Sequence, residues 1–253
     1  MKRIKIKRHI PGLLTFINLF LGFLAILNTQ SGAYDIACYC IILAGAFDSI
    51  DGKIARMLGI SSSFGVEIDS LADMVSFCLA PSVIIYSLYT NGLPGISGEI
   101  IASAPMIFGA IRLARFNVSQ EDKPSSYFTG LPTPMNAFAI ATLVLFIENI
   151  KLSNPEYSQP RLLLPIIFSI SFLMVSKIRY GKFPLLNFRS GISNTLALLG
   201  VGVFTVSFII ALFNNLESWI LMIFVGVYIL IGLLRHILFQ NSDEELESTG
   251  ENK

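Results

Sequence analysis

Four aspartates, Asp48, Asp51, Asp69 and Asp73, and one arginine, Arg56, stand close together in a chain that is 53% hydrophobic. The segment that holds them, residues 47–73, reads FDSIDGKIARMLGISSSFGVEIDSLAD. A carboxylate in the hydrocarbon of a bilayer costs at least ~2.5 to 3.5 kcal/mol even on the lenient insertion scale, so four together need a partner that offsets the cost. A metal ion is the simplest such partner. Asp48, Asp51, Gly52, Ala55 and Arg56 recur at helical spacing and form one stripe of an α-helix, while Gly65, Asp69 and Asp73 form a second. Between the stripes, MLGISSSF supplies the glycine and serines of a turn joining two antiparallel helices. Folding that hairpin points two carboxylates of one helix at two of the next. Hard oxygen ligands with no His or Cys among them suit Mg²⁺ or Mn²⁺ rather than zinc. The small residues Gly52, Ala55 and Gly65 leave room for a group to approach the backbone, and Arg56 offers a fixed fork for a phosphate.

The elements that must position these groups are membrane helices. A chain of 253 residues with only 14% charged residues reads as one polytopic, all-α membrane domain. Apolar runs of about 17 to 25 residues predict about eight transmembrane helices, near 13–29, 34–57, 65–90, 97–116, 135–150, 162–179, 192–213 and 217–238. A basic arm (1–12) precedes this transmembrane catalytic domain (13–239), and an acidic, disordered tail (240–253) follows it. With the N-terminus in the cytoplasm, every Lys and Arg except Lys151 and Arg161 falls on the cytoplasmic side. The positive-inside rule therefore predicts that both termini and the aspartate hairpin are cytoplasmic. The net charge of +1 says little about partners, because the distribution of charge outweighs its sum. The first helix imitates a signal peptide, but Thr15 and Asn18 in mid-run beside Gly22 predict a retained helix that faces other helices. Cys38, Cys40 and Cys78 read as free, buried thiols. Pro81, inside an apolar run, predicts a kink, and Glu67, two residues before Asp69, points away from the carboxylates. No nucleotide-binding glycine loop, zinc pattern, internal repeat or nucleic-acid-binding feature is visible.

The aspartate segment resembles the signature of the CDP-alcohol phosphatidyltransferases: D, two residues, DG, two residues, AR, eight residues, G, three residues, D, three residues, D. Asp48, Asp51, Gly52, Ala55, Arg56, Gly65, Asp69 and Asp73 each fall on a family position. The resemblance covers the first six helices well and implies that they form the family's catalytic core. It implies two Mg²⁺ or Mn²⁺ ions on the diphosphate of CDP-diacylglycerol, held by Asp48, Asp51 and Asp69 with Asp73 completing the site and serving as general base. Arg56 would hold diphosphate, Gly52 and Ala55 would admit the nucleotide, and the protein would be a homodimer.

PGLLTFINLFLG, residues 11–22, resembles the family's first helix, with Gly12 where Asn is usual. On that resemblance Thr15 and Asn18 line the nucleotide pocket; on their own they equally suit hydrogen bonds between helices. IRLARFN and the later GLPTP turn resemble the phosphatidylserine synthase branch more than the glycerophosphate or inositol branches. That makes Arg112 and Arg115 candidates for the carboxylate of L-serine or for a phosphate, against the alternative of a positive-inside pair at a helix C-terminus. Residues 174–184, MVSKIRYGKFP, resemble the same branch, with Gly181 in an unexpected place; Lys177 and Arg179 suit either phosphate or solvent. Trp219 reads as an interfacial anchor. The implied reaction transfers the phosphatidyl group of CDP-diacylglycerol to L-serine, releasing CMP in phospholipid biosynthesis. The alternatives are another acceptor on the same scaffold (glycerol 3-phosphate, inositol phosphate or choline) and a cation transporter. Against transport, the acids sit in one hairpin, and Gly52, Ala55 and Arg56 would have no task.

Overall fold

The computed structural model describes residues 2–58, 63–119, 127–154, 163–181, 192–214 and 216–250. Its contacts divide the chain into two units, 1–123 with 132–175, and 124–131 with 176–253.

In the first unit, α1 (Lys2–Gln30) is one continuous helix, so the basic arm and the first apolar run share a single element. Its end is set by Gly32, whose φ of 81° suits only a residue without Cβ. The Gly32 N–H donates to Thr29 O at 3.1 Å and the Ala33 N–H to Asn28 O at 2.9 Å, which satisfies the last carbonyls and turns the chain into α2 (Tyr34–Leu58). The two helices pack together. Their inner faces meet through small residues, Ala25 on α1 and Ala37 and Ala44 on α2, all fully buried.

The next helix runs unbroken from 63 to 90 but changes its winding: α3 (Ser63–Asp73), a π-helical stretch π1 (Met74–Leu79), α4 (Ala80–Ile85) and a second, π2 (Tyr86–Thr90). Pro81 has no N–H and its ring crowds the carbonyl four residues back. The helix widens just before the proline, and the Ala80 N–H reaches back to Val75 O. At the far end the Asn91 N–H reaches Tyr86 O at 2.8 Å before Gly92, at φ 90°, ends the element. The expected span 97–116 is two helices, α5 (Ser97–Ala102) and α6 (Ala104–Ser119), broken ahead of Pro105. Strand β1 (Tyr127–Thr129) belongs to the second unit, and α7 (Thr133–Ser153) and α8 (Leu163–Phe172) complete the first. The shared core draws on Ile41, Phe77, Ile84, Ile140, Val144 and Ile167.

The second unit holds β1, β2 (Arg179–Gly181), α9 (Ile192–Asn214) and α10 (Glu217–Gly250). The strands pair antiparallel with Phe128 opposite Tyr180, a short ribbon that the sequence reading did not contain. Aromatic and β-branched residues at Tyr127, Phe128, Thr129 and Tyr180 suit such a ribbon, and Arg179, expected as the last residue of the sixth helix, pairs as strand instead. The Tyr180 ring is fully buried, stacks on Tyr228 at 5.8 Å between centroids, and fills the space a side chain at Gly232 would need. Phe204 and Phe224, 4.1 Å apart and stacked, join α9 to α10. α10 continues as helix to Gly250, through the stretch from 240 expected to be a disordered tail.

Five stretches among the described residues are long and apolar enough to cross a membrane: 12–30, 64–90, 97–118, 133–152 and 218–237. The apolar helices at 163–172 and 198–208 are shorter. The charged residues of α2, Asp35, Asp48, Asp51, Lys53 and Arg56, set it apart from the five.

Candidate active site

The site lies wholly in the first unit. α2 and α3 bring Asp48, Asp69 and Asp73 together, each offering a carboxylate oxygen within 4.8 Å of the other two. All three are half-buried. Asp51 is not in this group, although the sequence placed it among the metal ligands. Three residues beyond Asp48, it faces about 60° around the helix, and there Thr15 Oγ1 on α1 donates to its Oδ2. Asp51 is only 5% exposed, and its Oδ1 is buried without a hydrogen-bond partner among the described residues.

α1 buttresses the carboxylates at a second point. Asn18 Nδ2 donates to Asp73 Oδ1 at 3.3 Å, and Ser76 Oγ donates to the carbonyl of Asn18 at 2.8 Å. Gly22, one turn along α1, makes this approach possible, since a Cβ there would lie 2.7 Å from the Cα of Ser76. Thr15 and Asn18 thus make the hydrogen bonds between helices that the sequence offered as one of two readings, and they make them to the aspartates. Ser76 was missed; its place three residues after Asp73 on the same helix was the available signal.

The two arginines of α6 have different surroundings. Arg112 is 8% exposed, donates through Nη1 to Thr133 Oγ1 at 2.5 Å, and lies near enough for its charge to act on Asp73. Arg115 is exposed; its Nη1 donates to Val175 O at 3.3 Å and its Nη2 to Met174 O at 3.4 Å, the carbonyls of the turn after α8. Thus Arg112 is brought toward the aspartates and Arg115 fastens α6 to that turn. Thr133, the partner of Arg112, sits in the GLPTP turn that the sequence reading treated as structural. Ser70 and Asn117 join α3 to α6, with Asn117 Nδ2 donating to Ser70 Oγ at 2.9 Å. Of the small residues, Gly52 is exposed and Gly65 half-buried, and Glu67 is exposed as expected. The side chains of Ala55 and Arg56 lie outside the described residues, although α2 includes their backbone. Cys38, Cys40 and Cys78 are free, as expected.

Three converging carboxylates and the orphaned Oδ1 of Asp51 fit a hard divalent cation, since an all-oxygen donor set suits Mg²⁺ or Mn²⁺. A profile of the CDP-alcohol phosphatidyltransferase family matches residues 8–175. This chain belongs to that family. The matched stretch ends at residue 175, where the first unit also ends. Among similar proteins, a CDP-diacylglycerol–serine O-phosphatidyltransferase of Helicobacter pylori (strain J99) is 35% identical over 228 residues, 90% of each chain. The archaetidylserine synthase of Methanothermobacter thermautotrophicus is 36% identical over 182 residues, 68% of this chain and 70% of its own. A CDP-diacylglycerol–serine O-phosphatidyltransferase of Bacillus subtilis is 35% identical over 175 residues, 69% of this chain and 91% of its own. In CDP-alcohol phosphatidyltransferase terms, the Asp48–Asp69–Asp73 group is where the signature's two helical stripes meet.

Proposed function

We propose that this protein transfers the phosphatidyl group of CDP-diacylglycerol to the hydroxyl of L-serine, forming phosphatidylserine and CMP. The observation that carries the reading is the group of Asp48, Asp69 and Asp73, braced by α1, with the buried Arg112 beside it. Similarity to serine O-phosphatidyltransferases over nine-tenths of the chain supports the acceptor.

Asp48, Asp51, Asp69 and Asp73 would hold divalent metal, Mg²⁺ or Mn²⁺ and by family resemblance two ions, Asp51 through the oxygen that Thr15 leaves free. Bound there, metal supplies Lewis-acid neutralisation of the diphosphate and of the departing CMP. Arg56 grips the diphosphate, and Gly52, Ala55 and Gly65 keep the backbone accessible to the nucleotide. Asn18 occupies Oδ1 of Asp73 and so fixes the carboxylate's rotation, leaving its other oxygen to take the proton of the serine hydroxyl. The serine oxygen forms its bond to the phosphorus that carries diacylglycerol, and the bond from that phosphorus to the CMP oxygen breaks. Arg112 supplies positive charge for the serine carboxylate. Arg115, engaged with two carbonyls, has a structural task. The excess of Lys and Arg on one side supports a cytoplasmic site and cytoplasmic termini, and family resemblance supports a homodimer.

The test is CMP release from CDP-diacylglycerol by the purified protein in detergent with Mg²⁺ or Mn²⁺, comparing L-serine, glycerol 3-phosphate, inositol phosphate and no acceptor. Release that requires serine is the expected result. Release with a different alcohol would overturn the acceptor assignment, and no release with any metal or acceptor would overturn the reaction.

A further inference from the structure

We infer that the first turn of α7 is the amino-acid subsite: Asn136, with Thr133 and Arg112, binds the ammonium and carboxylate of the acceptor. The inference rests on the serine reading above and assigns residues to it.

Asn136 is fully buried, yet neither its Nδ2 nor its Oδ1 has a hydrogen-bond partner among the described residues. A carboxamide with both ends unmet inside a packed helical unit is costly to keep, so it is most readily explained by a ligand that offers one donor and one acceptor. Its position narrows the choice. Thr133, also fully buried, lies three residues earlier and so on the same face of α7, and it accepts the hydrogen bond from Arg112. Gly109, one turn before Arg112 on α6, faces Thr133 and Cys78, so α6, α7 and the π-helical stretch that follows Asp73 converge at this turn. α7 is 21 residues long, and Pro132 in front of it supplies no side-chain cap, which leaves its positive end for an anionic group.

An α-amino acid matches this set. Its ammonium donates to Asn136 Oδ1, and its carboxylate accepts from Asn136 Nδ2 while facing the Arg112 guanidinium and the helix end. Thr133 is a positioning residue, holding Arg112 in place through its hydroxyl. Choline lacks both an N–H donor for Oδ1 and an anionic group, and would leave the set unmet. The turn thereby favours an amino-acid acceptor over choline.

The experiment measures KM for L-serine and for CDP-diacylglycerol separately in the full chain carrying Asn136→Leu, alongside its thermal unfolding midpoint in detergent. A rise of about tenfold or more in serine KM, with CDP-diacylglycerol KM and midpoint unchanged, is expected from leaving a buried polar recognition set unmet. An unchanged serine KM, or an equal rise for both substrates, would overturn the assignment. If Asn136→Leu does not fold, Asn136→Asp decides. That variant keeps the shape and the acceptor for the ammonium but loses the donor to the carboxylate. Serine should then weaken about tenfold or more while ethanolamine, as a competitor without a carboxylate, does not; equal weakening of both overturns the assignment. A wild-type protein that uses a different alcohol would instead sink the serine reading itself, and this subsite with it.

Discussion

α7 and α10 are both apolar and long enough to cross a membrane, yet 67% of the α7 span is buried within the protein against 17% of the α10 span. α7 encloses Thr133, Asn136 and Thr142, all buried. α10 turns Trp219, Ile223, Val227, Leu230 and Ile231 outward. The difference shows that hydropathy alone does not separate a helix that builds a site from one that meets lipid. What separates them is the extent of buried polarity, three polar side chains on α7 against Ser218 among the described residues of α10, and such groups persist only where a partner or a ligand meets them. By that measure buried polarity gathers in the first unit, which holds the candidate site, while α10 of the second presents an exposed apolar face.

The strongest way to break this division is to remove a carboxylate. Asp73→Asn should lower the rate of CMP release by about 10²- to 10⁴-fold, the range for loss of a general base, while the unfolding midpoint stays near wild type. Smaller losses are expected from the braces on α1. Thr15→Val and Asn18→Leu should each cost about 10- to 100-fold in apparent metal affinity, read as the Mg²⁺ or Mn²⁺ concentration for half-maximal rate, because they orient the carboxylates without touching substrate. A pair of glycine variants sharpens the contrast between units. Gly22→Ala forces a methyl against the Ser76 backbone and Gly232→Ala forces one into the Tyr180 ring. Each should destabilise by about 1 to 3 kcal/mol, read as a lowered thermal midpoint. Activity per folded molecule should fall for Gly22→Ala and hold for Gly232→Ala; the reverse would mean that the second unit takes part in chemistry. The smallest effect belongs to Arg115→Gln, which should lower stability by about 1 kcal/mol or less, as befits an exposed hydrogen-bonding charge, and leave serine KM unchanged. A rise in serine KM there would return Arg115 to the site.

The aspartate hairpin could be read in the sequence because each part of the signal was local: carboxylates at helical spacing on either side of a turn. That spacing does not identify which carboxylate stands apart from the closest three, since the hydroxyl that engages Asp51 comes from Thr15, a distant position on another helix. The arginines show the same limit. Arg112 and Arg115 are equivalent by spacing, and only their partners on α7 and after α8 distinguish them. The break before Pro105 and the ribbon at Tyr180 escaped for a related reason. In an apolar run, continuity of hydropathy hides a missing N–H, and a three-residue strand has no periodicity to find.

The π-helical stretch at 74–79 also has a rotational meaning. Each α-helical residue turns the chain by about 100°, and a wider turn changes that angle locally. The stretch thus works as a phase joint: Asp69 and Asp73 are aimed by one winding, and Ile84 and Ile85, deeper in the same element, by another. If the same residues, none removed, wound evenly as α-helix, Pro81, Ile84 and Ile85 would swing about a quarter-turn relative to the aspartates. The carboxylates and the core could then no longer both face inward.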